Sequence, residues 1–212
     1  MATSTPQKAI DKPFGEVVFS TNEMIKVQCY KDGELDTSLK QSIVQGSTVR
    51  VSSYDNSFLA YGLIARINNT SLDHIHKPSA LGLSPQELEH LQPQVFDLLR
   101  KELDIYLFAY KEEGKEIVNQ SPLKPLMIDD FVCKTTDKEV LGLTESFSNL
   151  ISLIKKNQLK IDLLVDLIIL GYKLRNSDYN YLLKAGQELS LAFSDDIDSL
   201  MQTLKRLSQS RK

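Results

Sequence analysis

The sequence predicts an α+β chain: a small N-terminal β-barrel with one helical insertion, then a C-terminal α-helical bundle of about four helices. Three observations carry that prediction. Up to about Thr136, apolar residues alternate in short runs broken by turn-forming clusters, the period of half-buried strands. After Lys138 they recur at spacings of three and four, which sets one apolar stripe on each helix. Between the two lies a single stretch, about 84–103, where helical spacing interrupts the strands. The chain thus divides into a short disordered arm (1–12), a barrel (13–136) and a helical part (138–212).

The first strand pair is expected at 16–19 and 24–30, around the turn-forming residues 20–23. In the second of these, Ile25, Val27 and Cys29 form an apolar row, while Met24, Lys26, Gln28 and Tyr30 face the other way. Residues 46–51 alternate too, and pair naturally with 58–67 across the turn composition of 52–57. Further strands are expected at 104–110 and, after Pro122 and Pro125, at 131–134. Taken alone, this pattern suits a small closed barrel or a sandwich.

The insertion opens on Ser84-Pro85-Gln86-Glu87, where serine caps, proline sits at the first helical position and glutamate closes a capping box. Leu88, Leu91, Val95, Leu98 and Leu99 follow helical spacing, with a kink or a break into two short helices at Pro93. In the last third, Val140, Leu143, Phe147, Leu150, Ile151 and Ile154 form one stripe. Residues 161–170 are apolar nearly all round and predict a central helix. Asn176-Ser177-Asp178 and Ser194-Asp195-Asp196 then cap two more helices, the latter with acidic first-turn residues that favour the helix dipole.

With 25 Lys and Arg against 28 Asp and Glu, the net charge of −3 gives no broad electrostatic attraction for a phosphate backbone. The apolar segment 161–170 is interrupted by Asp162 and Asp166 and is far short of a membrane span. The first twelve residues lack the apolar core of a signal peptide, so a cytoplasmic chain is expected. No two of the nine glycines are close enough to form a phosphate-cradling loop, which excludes the P-loop and the dinucleotide fingerprint. No nucleophile motif occurs either, and no cofactor is expected.

A few residues remain as candidates for chemistry. Cys29 and Cys133 are expected as thiols on strands, with no zinc-like spacing, and any redox role is left open. His74 and His76 would point to one side of an extended segment beside Asp73, which is the one metal-like cluster; two solvated loop histidines explain it as well. His90 is the third histidine. Asp162 and Asp166 are helix-face neighbours, read as the solvent edge of a buried helix with Lys160 or Lys173 nearby rather than as an acid–base pair. Tyr172, Tyr179 and Tyr181 flank the same junction, as core edge or interface. No catalytic, cofactor or metal residue is assigned.

Gly15, Val17, Gly46, Val49, Val51, Gly62, Ile64 and Ile67 carry a glycine-then-alternating-valine pattern across the strand half. That pattern resembles the HAS barrel, the small β-barrel of HerA-type DNA-translocating ATPases and of the N-terminal part of ATP-synthase α and β subunits. The resemblance covers about 13–136 and implies a closed barrel that binds no nucleotide and forms a docking collar on a ring. The P-loop motor that follows the barrel in the ATPases is replaced here by the helical part, so motor activity is not implied.

These readings together predict a non-enzymatic adaptor or assembly factor whose barrel contacts a ring ATPase or another multi-subunit complex. Self-association is compatible with that role. The alternative is a barrel that binds single-stranded nucleic acid through Tyr30, Tyr54, Tyr61, Lys26, Arg50 and Arg66. An enzyme site assembled from scattered residues, or a ligand inside the barrel, stands further back.

Overall fold

Hairpin β1 (Gly15–Ser20) and β2 (Met24–Cys29) begins the strand half, as the alternation predicts. A short helix α1 (Thr37–Ser42), not expected from the sequence, leads to β3 (Thr48–Ser52) and β4 (Phe58–Ser71). Helices α2 (Pro85–Leu91) and α3 (Gln94–Leu98) follow, then β5 (Leu99–Glu112) and β6 (Phe131–Lys134). The computed structural model describes residues 12–31, 33–71 and 81–209, so most of the predicted arm, residues 1–11, lies outside the described residues.

All strand pairs are antiparallel, in the order β1-β2-β5-β4-β3-β6, and β6 pairs back onto β1 to close a barrel. The predicted row Ile25, Val27 and Cys29 points into the lumen with Val17, Val49, Val51, Ile64, Leu103, Ile105 and Val132. The barrel is therefore filled by its own side chains, as small barrels are. Two glycines of the repeated pattern have a local reason. A Cβ at Gly15 would lie 2.5 Å from the Gln28 carbonyl oxygen, and one at Gly62 would lie 2.4 Å from Ile105 Cγ2.

The insertion differs from its predicted span. The capping box at Ser84 and Glu87 forms, and the helix breaks before α3 at Pro93, but helix ends at Leu98. Residues 99–103, predicted helical, belong to β5 because Leu99 pairs with Ser71 and Leu103 with Ile67. Leu103 is needed in the lumen, and that burial outweighs the helical spacing it shares with Leu99. Much of the predicted apolar stripe of the excursion stays in solvent, with Leu91, Leu98 and Leu99 all exposed.

Among the described residues five helices follow the barrel, where about four were expected: α4 (Asp137–Leu143), α5 (Ser148–Lys156), α6 (Asp162–Leu174), α7 (Tyr179–Ala192) and α8 (Ile197–Gln209). The extra one arises because the stripe from Val140 to Ile154 is cut at 144–147. The freed backbone groups there find other partners: Arg175 donates to the Leu141 carbonyl at 2.7 Å, and the Phe147 amide donates to the Glu188 carboxylate at 2.9 Å. Helix α6 is central, as predicted, and packs against α4, α7 and α8.

The helices lie on the outer face of β4 and β5. Tyr61, Leu63, Ala65, Phe108 and Ala109 share one core with Leu150, Leu164, Ile168 and Leu189. All of 60–65 is buried because alternate residues face the lumen and the helices, which is why that run lacks polar alternation.

Candidate functional site

Polar chemistry concentrates at the seam between barrel and helices. Thr136 caps α4 in a capping box with Glu139, and the same carboxylate reaches back to the barrel. It accepts from Arg50 Nη1 at 3.1 Å and from the Tyr61 hydroxyl at 3.3 Å. Tyr61 is only 1% exposed, and burial pushes its phenol well above the usual tyrosine range. Arg50 and Tyr61 are thus structural ties, and neither is presented as an open face.

Of the remaining residues expected for a nucleic-acid face, Lys26 and Arg66 fall in one row, both register partners of Asp104, while Tyr30 and Tyr54 lie elsewhere, beyond the end of β2 and on the β3–β4 turn. Lys26 pairs with Asp104 at 3.8 Å. The Tyr30 hydroxyl donates to Glu16 at 2.8 Å, and burial raises its pKa. Arg66 is exposed on β4, where the strand runs on towards Ser71. Tyr54 stands exposed on the β3–β4 turn, which Asp55 holds by accepting from the hydroxyl and amide of Ser57 and from the Ser53 hydroxyl. Those bonds hold the Asp55 carboxyl down at about 2.

Cys29 is buried and Cys133 half-buried, on β2 and β6, and they form no disulfide. His74 and His76 lie outside the described residues. His90 is exposed on α2. Among the described residues no group of three or more His, Cys, Asp or Glu side chains is placed to hold a metal ion, and no helix is long and apolar enough to cross a membrane.

Asp162 and Asp166 are the exposed edge of α6, with a partner the sequence reading did not identify. Arg206 of α8 forks across both, donating from Nη1 to Asp162 at 2.6 Å and from Nη2 to Asp166 at 2.8 Å. The pair therefore fastens α8 to α6. Tyr172 is buried, and Tyr181 packs under the Arg175 guanidinium, 4.3 Å above its ring. Burial pushes the Tyr181 phenol up to about 12. Tyr179 is half exposed and lines a groove between α7 and α8.

The feature that folding does not explain sits on the barrel. A β-bulge between Val17 and Phe19 interrupts the register of β1 against β2. Val17 stays in the lumen, and the extra residue turns Val18 and Phe19, consecutive in sequence, out to solvent. The 123–131 connection is fastened beside them. The Asp129 amide donates to the Val17 carbonyl at 2.9 Å, the Val17 amide to the Asp130 carbonyl at 3.1 Å, and Phe131 pairs with Glu16. Asn22 Nδ2 donates to the Leu123 carbonyl at 3.0 Å, tying the start of the connection to the β1–β2 turn.

This arrangement gathers Val18, Phe19, Leu123, Met127, Ile128 and Phe131 on one side, each between 42% and 72% exposed. Single exposed apolar residues are ordinary; six large ones on one strand end and the connection fastened beside it are not. In the barrel order β1 is opposite β4, across from the core shared with the helices, and on that side α5 reaches only the β1–β2 turn, where Lys156 pairs with Glu23 at 2.6 Å. The sequence carried a signal for it: Leu123, Met127 and Ile128 are large apolar residues in a proline-bounded connection with no strand or helix period.

No protein-family model matches this chain, and no curated protein sequence does.

Proposed function

We propose that the chain is a cytoplasmic, non-enzymatic adaptor or assembly factor that takes a protein partner on the β1 face of its barrel. The observation that carries the reading is the exposed group Val18, Phe19, Leu123, Met127, Ile128 and Phe131. A side chain of that kind contributes about 1.5–3 kcal/mol when it is fully buried, so a partner covering several gains the apolar centre a specific interface needs. Among the described residues the helices share their core with β4 and β5, not with β1. The resemblance of the glycine–valine pattern to the HAS barrel supports the same use, a collar against a ring ATPase or another multi-subunit complex.

The test is affinity capture from nuclease-treated native lysate with three forms of the tagged chain. These are the unchanged protein, the double variant Phe19→Asp/Phe131→Asp, and Lys160→Glu on the helical side. A partner held near stoichiometric yield by the first and third, and lost at least tenfold from the double variant, is the expected result. Because both phenylalanines are already exposed, melting temperatures of all three should agree within a few degrees. Association present in a parallel untreated lysate and lost from every form on nuclease treatment would make nucleic acid the ligand and defeat the proposal.

A further inference from the structure

Of the three longest helices, α8 is the least embedded. Packing buries seven residues of α6 and three of α7, but on α8 only Thr203 and Leu207. The apolar stripe of α8 is half used: Leu200, Leu204 and Leu207 meet the core, whereas Ile197 stays 65% and Met201 63% exposed. The buried line takes in Thr203 instead, 1% exposed, whose hydroxyl has no hydrogen-bond partner among the described residues. A buried hydroxyl of that kind opposes docking, because water would satisfy it once the helix is released.

The polar hold on α8 is slight as well. The Arg206 fork reaches Asp162 and Asp166, but its three side chains are between 42% and 57% exposed, where ion pairs contribute little and are screened by salt. The chain just before α8 is gripped more firmly. Lys155 of α5 donates to the Ala192 carbonyl and to Asp195, and its ammonium lies 5.3 Å from the centre of the Phe193 ring. We infer that α8 is a detachable strap that leaves α6 and α7 as one unit, hinged at 195–196, while the barrel and the other helices stay folded, with Arg206 as its latch. Leu204 Cδ2 lies 3.7 Å from where a Cβ on Gly186 would sit, and Leu207 belongs to the shared core. Release therefore bares the floor at Gly186 and opens the α7–α8 groove onto the apolar face of α6 and α7. The inference is independent of the barrel patch, because it uses different elements.

Hydrogen exchange read by mass spectrometry on the full chain tests it, with rates corrected for intrinsic exchange. The amides of 201–207 should exchange as one block, about 100-fold or more faster than those of 164–171. Arg206→Gln should speed that block by about three- to tenfold and leave 164–171 unchanged, and raising salt from about 50 to about 500 mM should do the same to the unchanged protein. Thr203→Val, which removes the orphaned hydroxyl at nearly constant shape, should slow the block by about fivefold or more. Equal rates at 201–207 and 164–171 would mean that α8 opens only with the whole molecule, and would overturn the strap. A rate that rises steadily towards 209 would overturn it too, as fraying from one end. A block indifferent to both Arg206→Gln and salt would overturn the latch, and faster exchange in Thr203→Val would contradict the part given to the hydroxyl.

Discussion

Replacing Phe108 by alanine should cost about 3–5 kcal/mol, the usual range for a buried phenylalanine. Phe108 is 1% exposed on β5 and belongs to the core the barrel shares with the helices. Asn149 of α5 donates to its carbonyl, so the two parts also meet there through the backbone. For a chain of this size each kcal/mol lowers the melting temperature by about 2–4 °C, so a fall of about 10 °C is expected. The unfolding curve carries the sharper information. With one shared core, helix content at 222 nm and tyrosine fluorescence should change together in a single transition, before and after the substitution. A separate early loss of helix would mean that the helices rest on the barrel without being part of its core.

Gly15→Ala should cost about 3 kcal/mol, at the upper end of ordinary overpacking. The added Cβ would lie 2.5 Å from the Gln28 carbonyl oxygen and 3.0 Å from Cys29 Cα, both backbone atoms of β2 that cannot rotate aside. Gly15 pairs with Cys29 on one side and with Val132 on the other, at the seam where β6 closes the barrel. Displacing β1 therefore strains the closure as well as the first hairpin. The control is Gly33→Ala, where an added Cβ meets nothing within 4 Å and the melting temperature should stay within about 2 °C. Equal effects at the two glycines would contradict the steric account.

The barrel was legible where strands have one wet face. Ile25, Val27 and Cys29 alternate cleanly with polar neighbours and point into the lumen. Legibility failed where tertiary partners decide. The expected strand stops at Ile67 because 68–71 are all polar, yet they form the outer part of a long ribbon with β5. The stripe from Val140 to Ile154 keeps helical spacing across the break at 144–147, and only Arg175 and Glu188, distant in sequence, show why the chain turns there. The bulge at Val18 was invisible for a similar reason. Val17, Val18 and Phe19 read as a continuous apolar strand, and the pairing with β2 alone decides which of them face water. Of the candidate residues, Asp162 and Asp166 lie on an exposed helix edge as expected, whereas Tyr61 and Arg50, read as surface, hold the barrel to α4.

The most direct test of the adaptor account is site-specific photocrosslinking in native cells, with a photoreactive side chain placed in turn at Phe131, Met127 and Lys160. Capture at 131 and 127 of one and the same foreign chain, with none from 160, is the predicted result. Cross-links to that chain from 160 but from neither patch position would show that the partner binds elsewhere and that the exposed β1 face is not its docking surface.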